Sequence, residues 1–213
     1  MAKKQRISIP AGSFDPDQEK RMDLWTDQLS KVLKPGRFAH SLSVAETSFR
    51  LAGIHGLDTL RAAQAGLLHD CAKHLSLKEM QKIAVENSLT GDAAFLSSAG
   101  LLHSLVGAWI AEKQYGMEDA AVLQAIRYHN TGCPGMTRLD MCVCLSDSIE
   151  PLRESFPRLE EIRALSLESI ERSLLLSLES TANYVLSRGL YLHPQTQKTI
   201  QWLKSLPETV NDQ

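Results

Sequence analysis

The chain has 213 residues, 43% hydrophobic and 23% charged, an ordinary globular composition with enough length for one sizeable core. Its formal net charge of -2, from 23 Lys and Arg against 25 Asp and Glu, excludes the broad cationic surface on which binding to nucleic acid or an anionic membrane relies, so an anionic ligand must be held by local groups. Four cysteines (Cys71, Cys133, Cys142, Cys144) show no paired CxxC spacing, no apolar run approaches the roughly 20 residues that cross a bilayer, and no cleavable signal sequence is visible, so the expectation is a soluble cytoplasmic protein with reduced thiols.

In chain order, residues 1–20 (MAKKQRISIPAGSFDPDQEK) are polar, carry Pro10, Gly12 and Pro16 and lack periodicity, which predicts a flexible extension. Residues 21–206 are expected to form one all-α domain, and 207–213 a flexible tail. From Asp17 onward apolar residues recur at spacings of three and four (Met22, Trp25, Leu29, Val32 to Leu33), and KPG is expected to close this first helix. A second helix begins near Arg37 with Phe38, Leu42, Ala45, Phe49 and Ala52 on one face, and stops around HGLD, where Gly56 can adopt a helix-ending shape. TLRAAQAGLLHD, SLKEMQKIAVEN, LLHSLVGAWIAEKQ, EDAAVLQAIRYH, RLDMCVCLSDSIE, LEEIRALSLESIERSLLLSLESTANYVLSR and QTQKTIQWLKSL all read as helical. Taken alone, MCVCLSDS could be a short strand, but its helical neighbours decide for helix. No internal repeat is visible, so a solenoid is not expected.

Seven histidines are present. His55 beside Gly56, His74 after Lys73 and His193 before Pro194 are read as structural or solvent-facing. His40 (RFAHSLSV), His69 (GLLHDCAK), His103 (GLLHSLVGA) and His129 (AIRYHNTG) each lie on or at the end of an amphipathic helix. A buried imidazole with neither a hydrogen bond nor a metal costs on the order of a few kcal/mol, so four inward-facing ones need partners. A shared metal centre would satisfy them together, with Asp70 and Asp147 supplying anionic oxygen. Adjacent helical positions point about 100° apart, so His69 and Asp70 can reach toward two neighbouring ions rather than one.

The ordered segments RFAHSLSVAE, AGLLHDCAK, LLHSLVGAWIA, AIRYHNTGCPGM and SDSIEPLR, spanning about residues 37 to 153, resemble the YqeK group of HD-domain phosphohydrolases. Two positions depart from the usual pattern: Asn130 stands where threonine is more common, and Ser104 follows His103 where glycine is usual. The resemblance implies an HD-domain helical bundle and symmetrical hydrolysis of dinucleoside tetraphosphates. It also implies one metal held by His40, His69, Asp70 and Asp147 and a second held by His103 and His129, with Asp70 bridging. Iron is the implied ion, and the donor set would also accept manganese, cobalt or zinc. Two metals suit this chemistry because a water between them loses its proton near neutral pH, and the resulting hydroxide can attack phosphorus.

Asp70, Lys73 and Asp147 are thus the candidate catalytic residues. Lys73 could steady a polyphosphate as a point charge, while Arg37, Arg127 and Arg153 could grip phosphate through paired donors. HNTGCPGM after His129 is expected to form a tight loop. Backbone amides at Thr131 and Gly132 could bind phosphate or a base edge there, or the loop could be a helix-capping turn and no more. The cysteines are read as small hydrophobes. The expected partner is a dinucleoside polyphosphate or another nucleotide, with neither nucleic acid nor membrane. Alternatives are an HD-type phosphohydrolase of nucleoside di- or triphosphates or a guanosine alarmone, and a low-turnover nucleotide-sensing module using RALSLESIERSLLLSLES as a partner surface. Homodimerisation through the same helices stays open.

Overall fold

The computed structural model describes residues 7–207. Its first helix, α1 (Pro16–Val32), starts at a capping box: the Asp15 carboxylate accepts the Asp17 and Gln18 amides, and the Gln18 side chain accepts the Asp15 amide in return. Trp25 and Leu29 point inward from it, and the Trp25 indole N–H donates to Tyr115 O at 2.7 Å. The segment expected to be a flexible extension over 1–20 therefore holds the first turn of α1. Ahead of that turn, Ile7, Ile9 and Phe14 pack against the core, and the Ser8 amide donates to Glu46 at 2.6 Å. Three apolar side chains in a polar stretch are enough to anchor it. Residues 1–6 of that expected extension, and 208–213 of the expected tail, lie outside the described residues.

Pro35 opens α2 (Pro35–Ile54) rather than ending α1, because a proline in the first turn forfeits no helical hydrogen bond while its ring holds Lys34 extended. α3 (Thr59–Leu68) is capped by Asp58, and α4 (Leu77–Glu86) by a Ser76/Glu79 box. A five-residue α5 (Ala93–Ser97), too short to show periodicity, leads into α6 (Ala99–Lys113). α7 (Ala120–Tyr128) is capped by Asp119, and α8 (Arg138–Ile149), which contains CVC, by Thr137 and Asp140. The long leucine-rich run expected as one helix is two, α9 (Leu159–Leu165) and α10 (Ile170–Ser187), because Ser169 turns extended and its hydroxyl accepts the Arg172 amide. α11 (Pro194–Ser205) follows.

Among the described residues there is no strand, and no helix is long and apolar enough to cross a membrane. The all-α expectation therefore holds. Two apolar clusters fill the interior: Trp25, Leu67, Leu68, Leu102, Ile110 and Ile126 centre the first, and Leu51, Leu145, Ile162, Ile170 and Leu174 the second. α2 pairs most extensively with α3, and α8 packs against α2, α3, α7 and α10. Gly66 allows the α2–α3 approach, since a Cβ there would lie 2.9 Å from Ala45 Cα.

Candidate metal centre

Five elements converge on one point. α2 supplies His40, the turn after α3 supplies His69 and Asp70, α6 supplies His103, the C-terminal end of α7 supplies His129, and α8 supplies Asp147. All four imidazoles are buried, His69 completely, and Asp70 is 2% exposed. The Asp70 carboxylate stands between two imidazole pairs. Its Oδ2 lies 3.4 Å from His69 Nε2 and 3.8 Å from His40 Nε2, and its Oδ1 lies 3.3 Å from His103 Nε2 and 3.9 Å from His129 Nε2. Asp147 Oδ1 is 3.0 Å from His40 Nε2 and 3.7 Å from His69 Nε2.

The far sides of the rings determine what the near sides offer. His69 Nδ1 lies 2.6 Å from Gly66 O, His129 Nδ1 lies 2.7 Å from Ile126 O, and His40 Nδ1 lies 2.9 Å from Glu150 Oε1, all acceptors, so each Nδ1 carries the proton. Each Nε2 then presents a lone pair to the centre. His40 and His69 Nε2 are 3.3 Å apart, and His103 and His129 Nε2 are 3.0 Å apart. Facing lone pairs on His40 and His69 would repel at such a distance unless a cation, proton or metal, lies between them, whereas His103, whose Nδ1 has no acceptor among the described residues, can carry its proton on Nε2 and donate to His129. The described donors satisfy ligation criteria in two groups, His40–His69–Asp147 and His69–Asp70–His129, so nitrogen and carboxylate donors fit divalent metal ions.

Electrostatics agree with this picture. Burial favours neutral imidazole and pushes His103 down, and it pushes His129 down to about 3 with help from the neighbouring His69 and His103. His40 is raised: burial opposes its charged form, but hydrogen bonds to Asp147 and Glu150 outweigh it. Burial also works against ionised Asp70, yet the imidazoles of His69 and His103 hold it well below the usual carboxylate range. Asp147 likewise stays ionised against its burial through His40 and Arg153.

The other sequence-predicted site residues divide. Lys73 is partly buried, which lowers its pKa, while Asp70 and Asp147 favour its charge and Arg37 and Arg153 oppose it, so it stands at the edge of the centre. Arg37 Nη1 donates to Asp70 Oδ2 at 2.7 Å, and Arg153 Nη2 donates to Asp147 Oδ1 at 2.6 Å, so both arginines grip the acids of the centre rather than waiting free for phosphate. Arg127, in the last turn of α7, has no hydrogen-bond or ion-pair partner among the described residues. At Gly132 the amide is already engaged, which favours the helix-capping alternative for this loop. Gly132 N–H donates to Tyr128 O at 2.8 Å, and Thr131 is buried with its hydroxyl accepting from Gln195 Nε2, so this is a helix-ending turn pinned to α11.

Glu150 is the residue that sequence reasoning missed. It is 1% exposed, and its spacing of three from Asp147 put it on the same side of α8, a cue that SDSIEPLR already contained. His55, His74 and His193 take structural roles: His55 Nε2 lies 2.7 Å from Ser166 O, His74 Nδ1 lies 2.8 Å from Cys71 O, and His193 caps α11 and meets Asp92. The cysteines are free, and burial pushes the Cys142 thiol up to about 12 and the Cys133 thiol up to about 11.

The same region matches a known family. Residues 37–152 match the HD domain, a span that begins just before His40 and ends just after Glu150. The chain belongs to the HD-domain family. Within that family it is 35% identical to the symmetrical bis(5'-nucleosyl)-tetraphosphatase of Halalkalibacterium halodurans, over 78% of this chain and 88% of that one. It is 34% identical to the protein of the same name from Bacillus subtilis, over 83% and 94%. Among solved structures, an HD superfamily hydrolase from Clostridium acetobutylicum, described as involved in NAD metabolism, superposes with a TM-score of 0.82 at 38% identity, over 86% of this HD-domain chain and 96% of that one.

Proposed function

We propose that this HD-domain protein is a metal-dependent hydrolase that cuts diadenosine tetraphosphate at its centre to give two ADP molecules. The observation that carries the reading is Asp70, whose two oxygens each face one imidazole pair, an arrangement suited to a carboxylate shared by two cations. His40, His69, Asp70 and Asp147 would hold one ion, and Asp70, His103 and His129 the other. Bound there, two such ions supply Lewis acidity toward phosphate oxygens and an acidified water near neutral pH. Iron is the ion we favour, with manganese, cobalt or zinc compatible with the same donors.

The chain's own residues prepare that chemistry. Glu150, Gly66 O and Ile126 O hold three imidazoles in the tautomer that leaves Nε2 free. Arg37 and Arg153 fix Asp70 and Asp147 and bring positive charge to the rim, where their remaining donors can meet phosphate. Lys73, within electrostatic reach of Asp70 and Asp147, adds a third cation. Together these three offset the charge of a polyphosphate that the weakly acidic molecule as a whole would not attract. No nucleophilic side chain is required.

The test is product analysis. Metal-loaded protein incubated with diadenosine tetraphosphate should yield ADP alone. AMP with ATP would indicate asymmetric cleavage, and intact substrate beside turnover of nucleoside triphosphates or a guanosine alarmone would move the protein to another HD-type activity. Nucleotide binding without turnover would make it a sensing module.

A further inference from the structure

The two halves of the centre are not equivalent, and the difference begins behind the rings. His69 and His129 rest on main-chain carbonyls, but His40 rests on a buried carboxylate, Glu150 Oε1, at 2.9 Å. Glu150 is itself held in place. Its Oε2 accepts the Leu152 amide at 2.6 Å, while Arg163 of α9 donates to the carbonyls of Glu150 at 2.8 Å and Ile149 at 2.9 Å, closing the end of α8. An anionic acceptor at Nδ1 makes Nε2 a stronger donor than a carbonyl does.

His103 is the opposite case. Its Nδ1 is buried and has no hydrogen-bond partner among the described residues. When Nε2 ligates a cation, the proton must sit on Nδ1, so this imidazole ligates at the expense of an unsatisfied buried N–H. Asp147 adds a full carboxylate on the His40 side, whereas the His103–His129 side has only its share of Asp70.

We propose that the two cation positions are unequal and fill in order: first the His40–His69–Asp147 position, strengthened by Glu150 as a positioning residue, then the His103–His129 position. This inference rests on the metal-dependent reading above. Its consequence is a protein that holds one ion tightly and reaches its two-ion form only as free metal rises.

Titration of metal-free full-length protein with Mn2+, followed by calorimetry and by the loss of the free-ion EPR signal, tests it. Wild type should bind in two steps whose dissociation constants differ at least about 10-fold. Glu150→Gln, nearly isosteric, should weaken the first step about 10-fold, and Glu150→Leu up to about 100-fold. His129→Ala should keep the tight step and lose the weak one, and His40→Ala the reverse. In the metal-free protein, imidazole 15N shifts should show His40 protonated at Nδ1 in wild type and redistributed in Glu150→Leu, a change that a role in folding alone would not produce. Circular dichroism identifies any variant that misfolds, and Glu150→Gln then carries the result. Two equal steps in wild type, or a first step unmoved by Glu150→Gln, overturn the ordering while leaving the metal reading standing. No Mn2+ uptake by wild type removes the metal reading itself.

Discussion

Asp70 follows His69 in the turn that ends α3, and its carboxylate reaches His69 with one oxygen and His103 with the other. Asp70→Asn keeps the shape but turns one oxygen into an N–H donor facing imidazoles and Arg37. Metal uptake and diadenosine tetraphosphate turnover should both fall by more than about 100-fold, since even an outer residue of a metal site is worth 10- to 100-fold. Metal analysis beside a product assay checks both. Lys73 predicts a different pattern: Lys73→Met should leave metal content unchanged and lower kcat/KM by about 10²-fold, the usual cost of losing one fixed cationic donor. The four imidazoles and both acids were legible because each lies on or beside an apolar helical stripe. Glu150, and the grip of Arg37 and Arg153 on the acids, were not. The His40–Glu150 contact joins positions 110 residues apart where α2 meets the end of α8, Arg37 meets Asp70 where α2 meets the turn after α3, and Arg153 folds back on Asp147 by a path that helical periodicity does not describe.

At the scale of elements, the centre depends on how closely α2 and α3 approach. Gly66 serves twice, its Cα lying against α2 and its carbonyl accepting from His69 Nδ1. A methyl group there would meet Ala45 Cα and Ser48 Oγ at 2.9 Å, so Gly66→Ala must push the helices apart. The expected cost is about 1–3 kcal/mol in urea unfolding, with weaker metal binding as His69 moves. Helix identity was legible from periodicity, but helix breaks were not. The α9–α10 run keeps its leucine spacing across Ser166–Ser169, where the interruption consists of one serine cap, and α5 is too short to register a period. Caps also carry a pH signature. Burial raises the pKa of Asp119, but Arg61 and the amides of Ala121 and Val122 outweigh it and hold the group low. A depressed carboxyl adds stability that is fully present above its unfolded pKa of about 4 and is lost as pH falls through its folded value. Asp119→Asn keeps the cap and deletes the charge, so its melting temperature should lie about 1–3 °C below wild type at pH 7, and the gap should close only as pH falls below about 4 and through the depressed folded value.

Over the whole molecule, the centre is the junction of the two apolar clusters. α2 and α3 contribute to both, α7 belongs to the first and α8 mainly to the second, so the six donors tie together elements that pack mainly through apolar side chains, with a few polar contacts such as Gln124 to Asp140 beside them. A ligand bound to that junction in the folded state alone must stabilise the entire fold. At free metal about 100 times the dissociation constant, linkage contributes about 2.7 kcal/mol, and for a chain of this length that corresponds to a rise of about 5–11 °C in Tm. Calorimetric scans of metal-free protein across a series of Mn2+ concentrations should show this rise, and a chelator should reverse it. Asp70→Asn, lacking the shared carboxylate, should show little or no rise at the same concentrations. If wild type and variant shifted together, the ion would be binding elsewhere, and the six residues would be a buried polar cluster held by protons and arginines.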